Sequence, residues 1–371
     1  MAGLQKTDQG VKLKNLLVTG GAGFIGSNFI HYLLQKDMDV KIVNLDALTY
    51  AGSLENLKDL PNPERHIFVH GNITNRSLLD QLFAEHQIDT VVNFAAESHV
   101  DRSILNPGVF VETNVVGTYT LLEAARRAWL VDKIVPIEQA RFHHVSTDEV
   151  FGTLSREEPP FEEKTSYQPR SPYAAAKASS DHFVRAYNIT FGLPISISNC
   201  SNNYGPRQFP EKLIPLMILN ALNGRPLPVY GDGMQIRDWL YVDDHCDAIL
   251  RIVESGKVGE TYCVGGDNQP PNIEIVNTIC DILDELQPNS AFAPHNQLIT
   301  YVADRPGHDR RYDINIAKIE QELDWKPSHD LRQGLVDTVK WYLDNPEWVE
   351  AITKQSDYDN WLQKNCSGRK G

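Results

Sequence analysis

Residues 18–30 read VTGGAGFIGSNFI. A strand-like run, NLLVTG (15–20), leads into this stretch, and a helical pattern near 25–35 leaves it. Gly20, Gly23 and Gly26 form G-x-x-G-x-x-G; Gly21, Gly23 and Gly26 also fit G-x-G-x-x-G. Glycines at these spacings permit a tight turn and close backbone approach, so that the first N–H groups of the helix face a diphosphate. The same letters fit an ordinary glycine-rich turn, so the flanking sequence has to decide.

Working outward, a second apolar run, KIVNLD (41–46), ends on Asp46, about 20 residues past the last glycine, where an acid meets an adenosine ribose 2′-OH. That acid repels a 2′-phosphate, so the pattern predicts NAD and not NADP. Further strands are expected at 67–71, 90–96, 142–147 and 194–199, with helices near 77–86, 107–127 and 173–191. Short runs apolar on both faces, alternating with helices, predict the α/β class: a doubly wound, Rossmann-like parallel sheet. The pattern loosens after Ser201, with proline and glycine punctuating SNNYGPRQFPEKLIP and GRPLPVYGDG. Helices near 243–255, 272–286 and 331–343 then predict a smaller, interleaved α+β region. The expected division is a tail over 1–14, a dinucleotide region over 15–200 with about 236–255, and a substrate region over 201–235 and 256–365.

Bulk properties narrow the function classes. The chain has 371 residues, 41% of them hydrophobic and 23% charged, which suffices for a large core. A formal charge of −14 argues against nucleic acid or an anionic membrane as partner. Five cysteines without a C-x-x-C pair fit a reducing compartment and no metal spacing. The polar start MAGLQKTDQGVKLK and the lack of any long apolar window predict neither a signal peptide nor a membrane span, hence a cytoplasmic protein.

Two further stretches carry chemistry. STDEVFG (146–152) puts Asp148 and Glu149 side by side where a strand ends. In SPYAAAKASS, Ser171 is a plausible N-cap, and Tyr173 and Lys177 lie one turn apart on one helix face. A lysine charge there favours a phenolate and fits the tyrosine as a base. Ala95 and Ala96, after the fourth strand, are small enough for a cofactor to lie close. His99, His143 and His144 lack a partnering carboxylate cluster and read as packing or hydrogen-bonding groups, with no metal expected.

Together GGAGFIGSN, LTYAG, AAESHVDRS, STDEVFG, YAAAK, NCSNNYGP, FPEKLIP, QIRDWLYVDDH and DRPGHDRR resemble the dTDP-glucose 4,6-dehydratases, from about Leu16 to Leu343. These belong to the extended short-chain dehydrogenase/reductases, within the NAD-dependent epimerase/dehydratase family. The resemblance implies an NAD-dependent lyase: oxidation at C4 of the glucosyl ring, loss of water across C5 and C6, and hydride return to C6, in deoxysugar biosynthesis. It implies Tyr173 as base at the 4-OH, Lys177 assisting, Thr147 holding that hydroxyl, Glu149 as base at C5 and Asp148 as acid at the C6 hydroxyl. For the cofactor it implies Gly20, Gly23, Phe24, Ile25, Gly26, Asp46, Ala47, Leu48, Thr49, Asn72, Ile73, Phe94, Ala95, Ala96, Ser98, Thr113 and Asn203, besides Tyr173 and Lys177. For the substrate it implies Ser98, Thr147, Asn202, Lys212, Leu213, Pro228, Val229, Tyr230, Arg237, Asn272, Asp304, Arg305, Pro306, Gly307 and His308. It also implies a homodimer through helices near 107–127 and 173–191.

The acid pair separates this resemblance from the epimerases, which eliminate no water. Three departures stand out: Asn72 where the family has Asp near the adenine, Phe151 for a common Tyr, and Arg207, expected to add charge near the substrate cleft. Dehydration of CDP- or UDP-glucose would use similar chemistry, and an NAD-bound scaffold without activity is the alternative of a different class. The intact set of Thr147, Asp148, Glu149, Tyr173 and Lys177 argues against the scaffold.

Overall fold

The computed structural model describes residues 10–36, 38–304 and 307–355. Seven strands form one parallel sheet: β1 (Asn15–Thr19), β2 (Lys41–Asp46), β3 (His66–His70), β4 (Thr90–Asn93), β5 (Arg141–Thr147), β6 (Ile195–Cys200) and β10 (Thr261–Val264). Their order, β10-β6-β5-β4-β1-β2-β3, reverses direction at β1, the crevice where open α/β sheets take ligands. β1, β2, β4, β5 and β6 carry few exposed residues, because helices cover both faces. The core on one face gathers Leu17, Val91, Phe142, Trp129 and Ile197; that on the other gathers Leu16, Val18, Phe29, Ile30 and Ile249.

Local chemistry sets the helices that matter. The Pro172–Phe191 helix starts at Ser171, whose Oγ accepts the Ala174 N–H at 3.1 Å, and stops at Gly192 with φ +74°. The single helix expected near 107–127 is interrupted: α-helical Pro107–Phe110 and Thr118–Arg126 alternate with π-helical Val111–Gly117 and Arg127–Val131.

The second region carries two small parallel pairs, β7 (Asn202–Tyr204) with β9 (Trp239–Tyr241) and β8 (Leu227–Tyr230) with β11 (Ile299–Val302). Its own core holds Met217, Ile218, Ile275, Ile279, Val339 and Trp348. Two expected boundaries need correction. β10 lies within the span assigned to the substrate region, yet it is the seventh strand of the main sheet, and Ile319 and Trp325 pack against it. The expected tail also ends early: the Val11 N–H donates to the Glu254 carbonyl at 2.8 Å, and Leu13 is buried among Leu16, Phe29 and Ile42. Residues 356–365 of that division lie outside the described residues.

Candidate active site

A cleft runs across the carboxyl ends of β1, β2, β4, β5 and β6. At one end the glycine turn forms its floor. Gly20 sits at φ +72°, and a Cβ there would meet the Ala95 N at 2.7 Å. A Cβ on Gly26 would meet the Gly20 carbonyl at 2.4 Å, which fixes how closely helix and strand pack. Gly23 caps the Phe24–Gln35 helix without a side chain, so the positive end of that helix opens on the cleft. This bare cradle fits a dinucleotide diphosphate.

Asp46 closes the same end. Its Oδ2 accepts the Ala22 N–H at 2.9 Å and its Oδ1 accepts the Leu48 N–H at 2.7 Å. Burial pushes its pKa up, and those two N–H groups work against that rise. Phe24, Ile25, Ala47, Thr49, Asn72, Ile73, Phe94, Ala95, Ala96, Ser98, Thr113 and Asn203 line the cleft. Leu48 does not: it borders a neighbouring hollow with Tyr50 and Leu54. Asn72 differs in detail, since its carbonyl already accepts the Thr74 N–H at 2.9 Å and hydroxyl at 3.0 Å.

The other end gathers the reacting groups. Thr147 is the last residue of β5, and its Oγ1 accepts the Glu149 N–H at 3.2 Å, capping a 3₁₀ turn over Asp148–Phe151. That turn lets neighbouring acids leave the strand without pointing to opposite faces. Glu149 lines the cleft; Asp148 is buried behind it. Asp148 Oδ1 accepts from Thr147 Oγ1 at 3.3 Å, while its buried Oδ2 has no hydrogen-bond partner among the described residues. Its pKa is pushed well above the carboxylate range by burial first, then by Glu149 and Asp238, with Arg237 opposing.

Tyr173 and Lys177 come to the same wall from the Pro172–Phe191 helix. The expected easing of the phenol is not supplied by the protein alone: burial and then the Glu149 charge push Tyr173 well up, and its contact with Thr147 works the other way. Lys177 is buried, and its ammonium donates to the Val145 carbonyl at 2.7 Å. Burial lowers its pKa, opposed by Asp181 and Cys200.

Of the expected substrate residues, Ser98, Thr147, Asn202 and Lys212 line this cleft. Leu213, Pro228, Val229, Tyr230, Arg237, Asn272, Asp304, Gly307 and His308 are not part of its lining. Val229 belongs to the core of the second region. The Asn272 N–H donates to Gln235, Gln235 donates to Asp304 at 2.9 Å, and Asp304 meets His308 at 2.6 Å. Arg237 links this cluster to the acid pair: its charge acts on Asp148, its Nη1 and Nη2 donate to the Ile236 and Asp309 carbonyls, and its guanidinium lies 4.2 Å from the Tyr312 ring centroid. Arg305 and Pro306 lie outside the described residues. Arg207 turns away from the cleft, donating to Asn28 Oδ1 at 3.1 Å. Phe151 stacks on Phe161 at 5.1 Å, a packing role.

Sequence reading missed Glu97, Gln208, Phe209 and Glu211, which also line the cleft. Glu211 pairs with Arg102 at 3.1 Å, and Arg102 lies 3.8 Å from the Tyr50 ring centroid. The E-K pair in FPEKLIP was the available signal. His143 contacts Ser196 and Ser198, and among the described residues no group of three or more His, Cys, Asp or Glu could hold a metal ion.

A glycine turn, a strand-end acid and a Tyr-x-x-x-Lys helix on one cleft define the class: a dinucleotide-dependent enzyme of the short-chain dehydrogenase/reductase type. A family model described as GDP-mannose 4,6 dehydratase matches residues 17–338. The chain is 53% identical to a dTDP-glucose 4,6-dehydratase of Shigella flexneri, over 95% of this chain and 99% of that one. It is 55% identical to one of Xanthomonas campestris, over 91% and 95%. Among solved structures it resembles the dTDP-glucose 4,6-dehydratase of Bacillus anthracis in complex with NAD (TM-score 0.79, 46% identity, 91% of this chain and 99% of that one). A UDP-glucose 4-epimerase of Thermotoga maritima shares the architecture at 26% identity and TM-score 0.77, covering 90% of this chain and 99% of that one. The chain belongs to the dTDP-glucose 4,6-dehydratase family.

Proposed function

We propose that this chain is an NAD-dependent hydro-lyase that converts dTDP-glucose to dTDP-4-dehydro-6-deoxyglucose and water. The observation that carries the reading is the acid pair: Glu149 on the cleft wall and Asp148 buried behind it, kept protonated by burial and by its neighbour's charge. Eliminating a β-hydroxyl as water needs one group that takes a proton and one that gives a proton, on adjacent carbons. A carboxyl pushed well up by burial, beside a second carboxyl on the cleft wall, supplies both.

NAD⁺, when bound, supplies the acceptor for hydride from C4 and its return to C6. The glycine turn, Asp46, Asn203 and Lys177, all on the cleft, would hold it. Tyr173 takes the 4-OH proton, and the Lys177 charge favours the phenolate that results. Thr147, fixed at the end of β5, orients that hydroxyl. Glu149 then removes the proton at C5, which the new ketone has acidified, and Asp148 protonates the departing C6 hydroxyl. Lys212, on the cleft lining, offsets the substrate diphosphate within an acidic protein.

We infer a homodimer as well. Val111, Val116 and Tyr119 on one helical segment and Phe183, Ile189 and Phe191 on the Pro172–Phe191 helix are exposed, and the two segments pack together. Among the described residues no helix is long and apolar enough to cross a membrane. The four described cysteines are all buried and unpaired, which supports a cytoplasmic setting.

The test is direct. Incubation with dTDP-glucose should yield a product lighter by one water, with deuterium placed at C4 recovered on the C6 methyl group. Substrate that binds and keeps its water, or label lost to solvent, overturns the reading. Parallel turnover of UDP-, CDP- and GDP-linked hexoses sets the nucleotide preference.

A further inference from the structure

Behind the cleft wall lies a polar network that the reaction above does not use. Asp181 is fully buried one helical turn past Lys177. Its Oδ2 accepts from Ser146 Oγ at 2.9 Å, Tyr167 Oη at 2.7 Å and Asn199 Nδ2 at 3.3 Å. Its Oδ1 lies 3.4 Å from His144 Nε2, and the Lys177 Nζ lies 3.3 Å from that same nitrogen.

The tautomer of His144 follows from its other side. Asn93 Oδ1 accepts the Thr19 hydroxyl at 2.6 Å, which turns the Asn93 Nδ2 donor to His144 Nδ1 at 3.0 Å. Nδ1 therefore accepts, and the proton of a neutral imidazole sits on Nε2, which lies 3.2 Å from Ser180 Oγ and 3.4 Å from Asp181 Oδ1. Burial and the Lys177 charge hold His144 down to about 4, so it stays neutral. The ring thus stands as an uncharged spacer between a buried ammonium and a buried carboxylate.

A buried ammonium without a countercharge sheds its proton. The groups that face Lys177 are His144 from β5, Cys200 from β6, and Tyr173 and Asp181 from its own helix. Cys200 is pushed up to about 12 and stays a thiol. Burial works to raise Asp181, but His144, Lys177 and Tyr167 overcome it and leave the carboxyl below its ordinary range. Arg185 donates to the Tyr167 Oη at 2.7 Å, the same hydroxyl that donates to Asp181.

We propose that Asp181 is the buried countercharge of Lys177, a positioning residue that holds the ammonium charged over the pH range in which the first proton transfer runs. The inference rests on the role given above to Lys177. It is tested on the full chain with NAD bound, by the absorbance rise on mixing with dTDP-glucose across pH. In Asp181→Asn the alkaline limb of this first step should move to lower pH by on the order of one unit, with a roughly tenfold loss of rate near neutrality and KM changed less than about twofold. Tyr167→Phe removes a hydrogen bond to the same oxygen but keeps the charge, so the limb should stay in place.

The charge pairing is also read without turnover, and even if Asp181→Asn folds poorly. The double variant Asp181→Asn/Lys177→Met removes both charges and should melt above the single Asp181→Asn. A double variant no more stable than the single one overturns the proposal, as does an unmoved limb in folded Asp181→Asn. A normal first step in Lys177→Met would instead overturn the role of Lys177 itself.

Discussion

The ends of β2 and β5 each carry a buried aspartate, and the two are equipped in opposite ways. At Asp46 each carboxylate oxygen accepts a backbone N–H, from Ala22 and from Leu48. At Asp148 one oxygen has only the Thr147 hydroxyl and the other has no partner among the described residues. Both are pushed up by burial, but only Asp148 also faces a neighbouring carboxylate, and it is pushed much further. Backbone N–H groups favour an anchor that stays ionised; their absence beside a second acid makes a proton donor. A strand end is thus a place for ligands, and the local N–H supply decides which chemistry the place performs.

This contrast can be broken in graded steps. The largest effect is expected from Glu149→Gln, which should lower turnover by about 10³-fold while substrate still binds. Near-normal turnover in that variant would remove the base from the β5 end. Tyr173→Phe should abolish the absorbance rise on mixing, and a normal rise would exclude Tyr173. Asp148→Asn should slow elimination by about 10²-fold, with the first oxidation preserved; an unchanged elimination rate would reject the acid. Asp46→Asn, at the other strand end, should weaken NAD binding by about tenfold and leave the pH profile of turnover in place.

The smallest effect concerns stability, and its sign is opposite to intuition. The folded pKa of Asp148 is raised, so its contribution is full below the ordinary carboxylate pKa and is lost as pH rises through the folded value. Asp148→Asn should therefore melt higher than the parent near pH 8, by about 1–2 °C, with the gain fading toward pH 4. A melting temperature lowered equally at both pH values would show that the carboxyl is an ordinary structural group.

Much of this was legible from local pattern. Period and composition marked the six strands up to Cys200: β1, β2, β4, β5 and β6 because strands covered on both faces read as apolar runs, and β3 by its IFV core although it is an exposed edge. Gly20, Asp46, Tyr173 and Lys177 were legible because backbone geometry and helical spacing dictate them. β10 was not: TYCV is four residues long, far along the chain, and its partner β6 is fixed only by the tertiary fold. Leu48 matched a motif, yet its φ of +48° sends it to the neighbouring hollow. Glu97 was missed because nothing in its own segment signals a place on the cleft, and Glu211 because the E-K pair of FPEKLIP was read for Lys212 alone. Burial and the Glu149 charge, which push Tyr173 up, were not legible from its own helix, because both come from the packing of β5 against it.

The lead-in to β1 is tied to Glu254, and the edge beside β6 is filled only by residues 261–264. A ribosome-bound fragment that has exposed residues 1–200 therefore holds six strands with an open flank and a loose beginning. The nascent chain must wait for some sixty more residues before the lead-in to β1 and the edge of β6 are both secured, so the two regions are made in sequence but completed together.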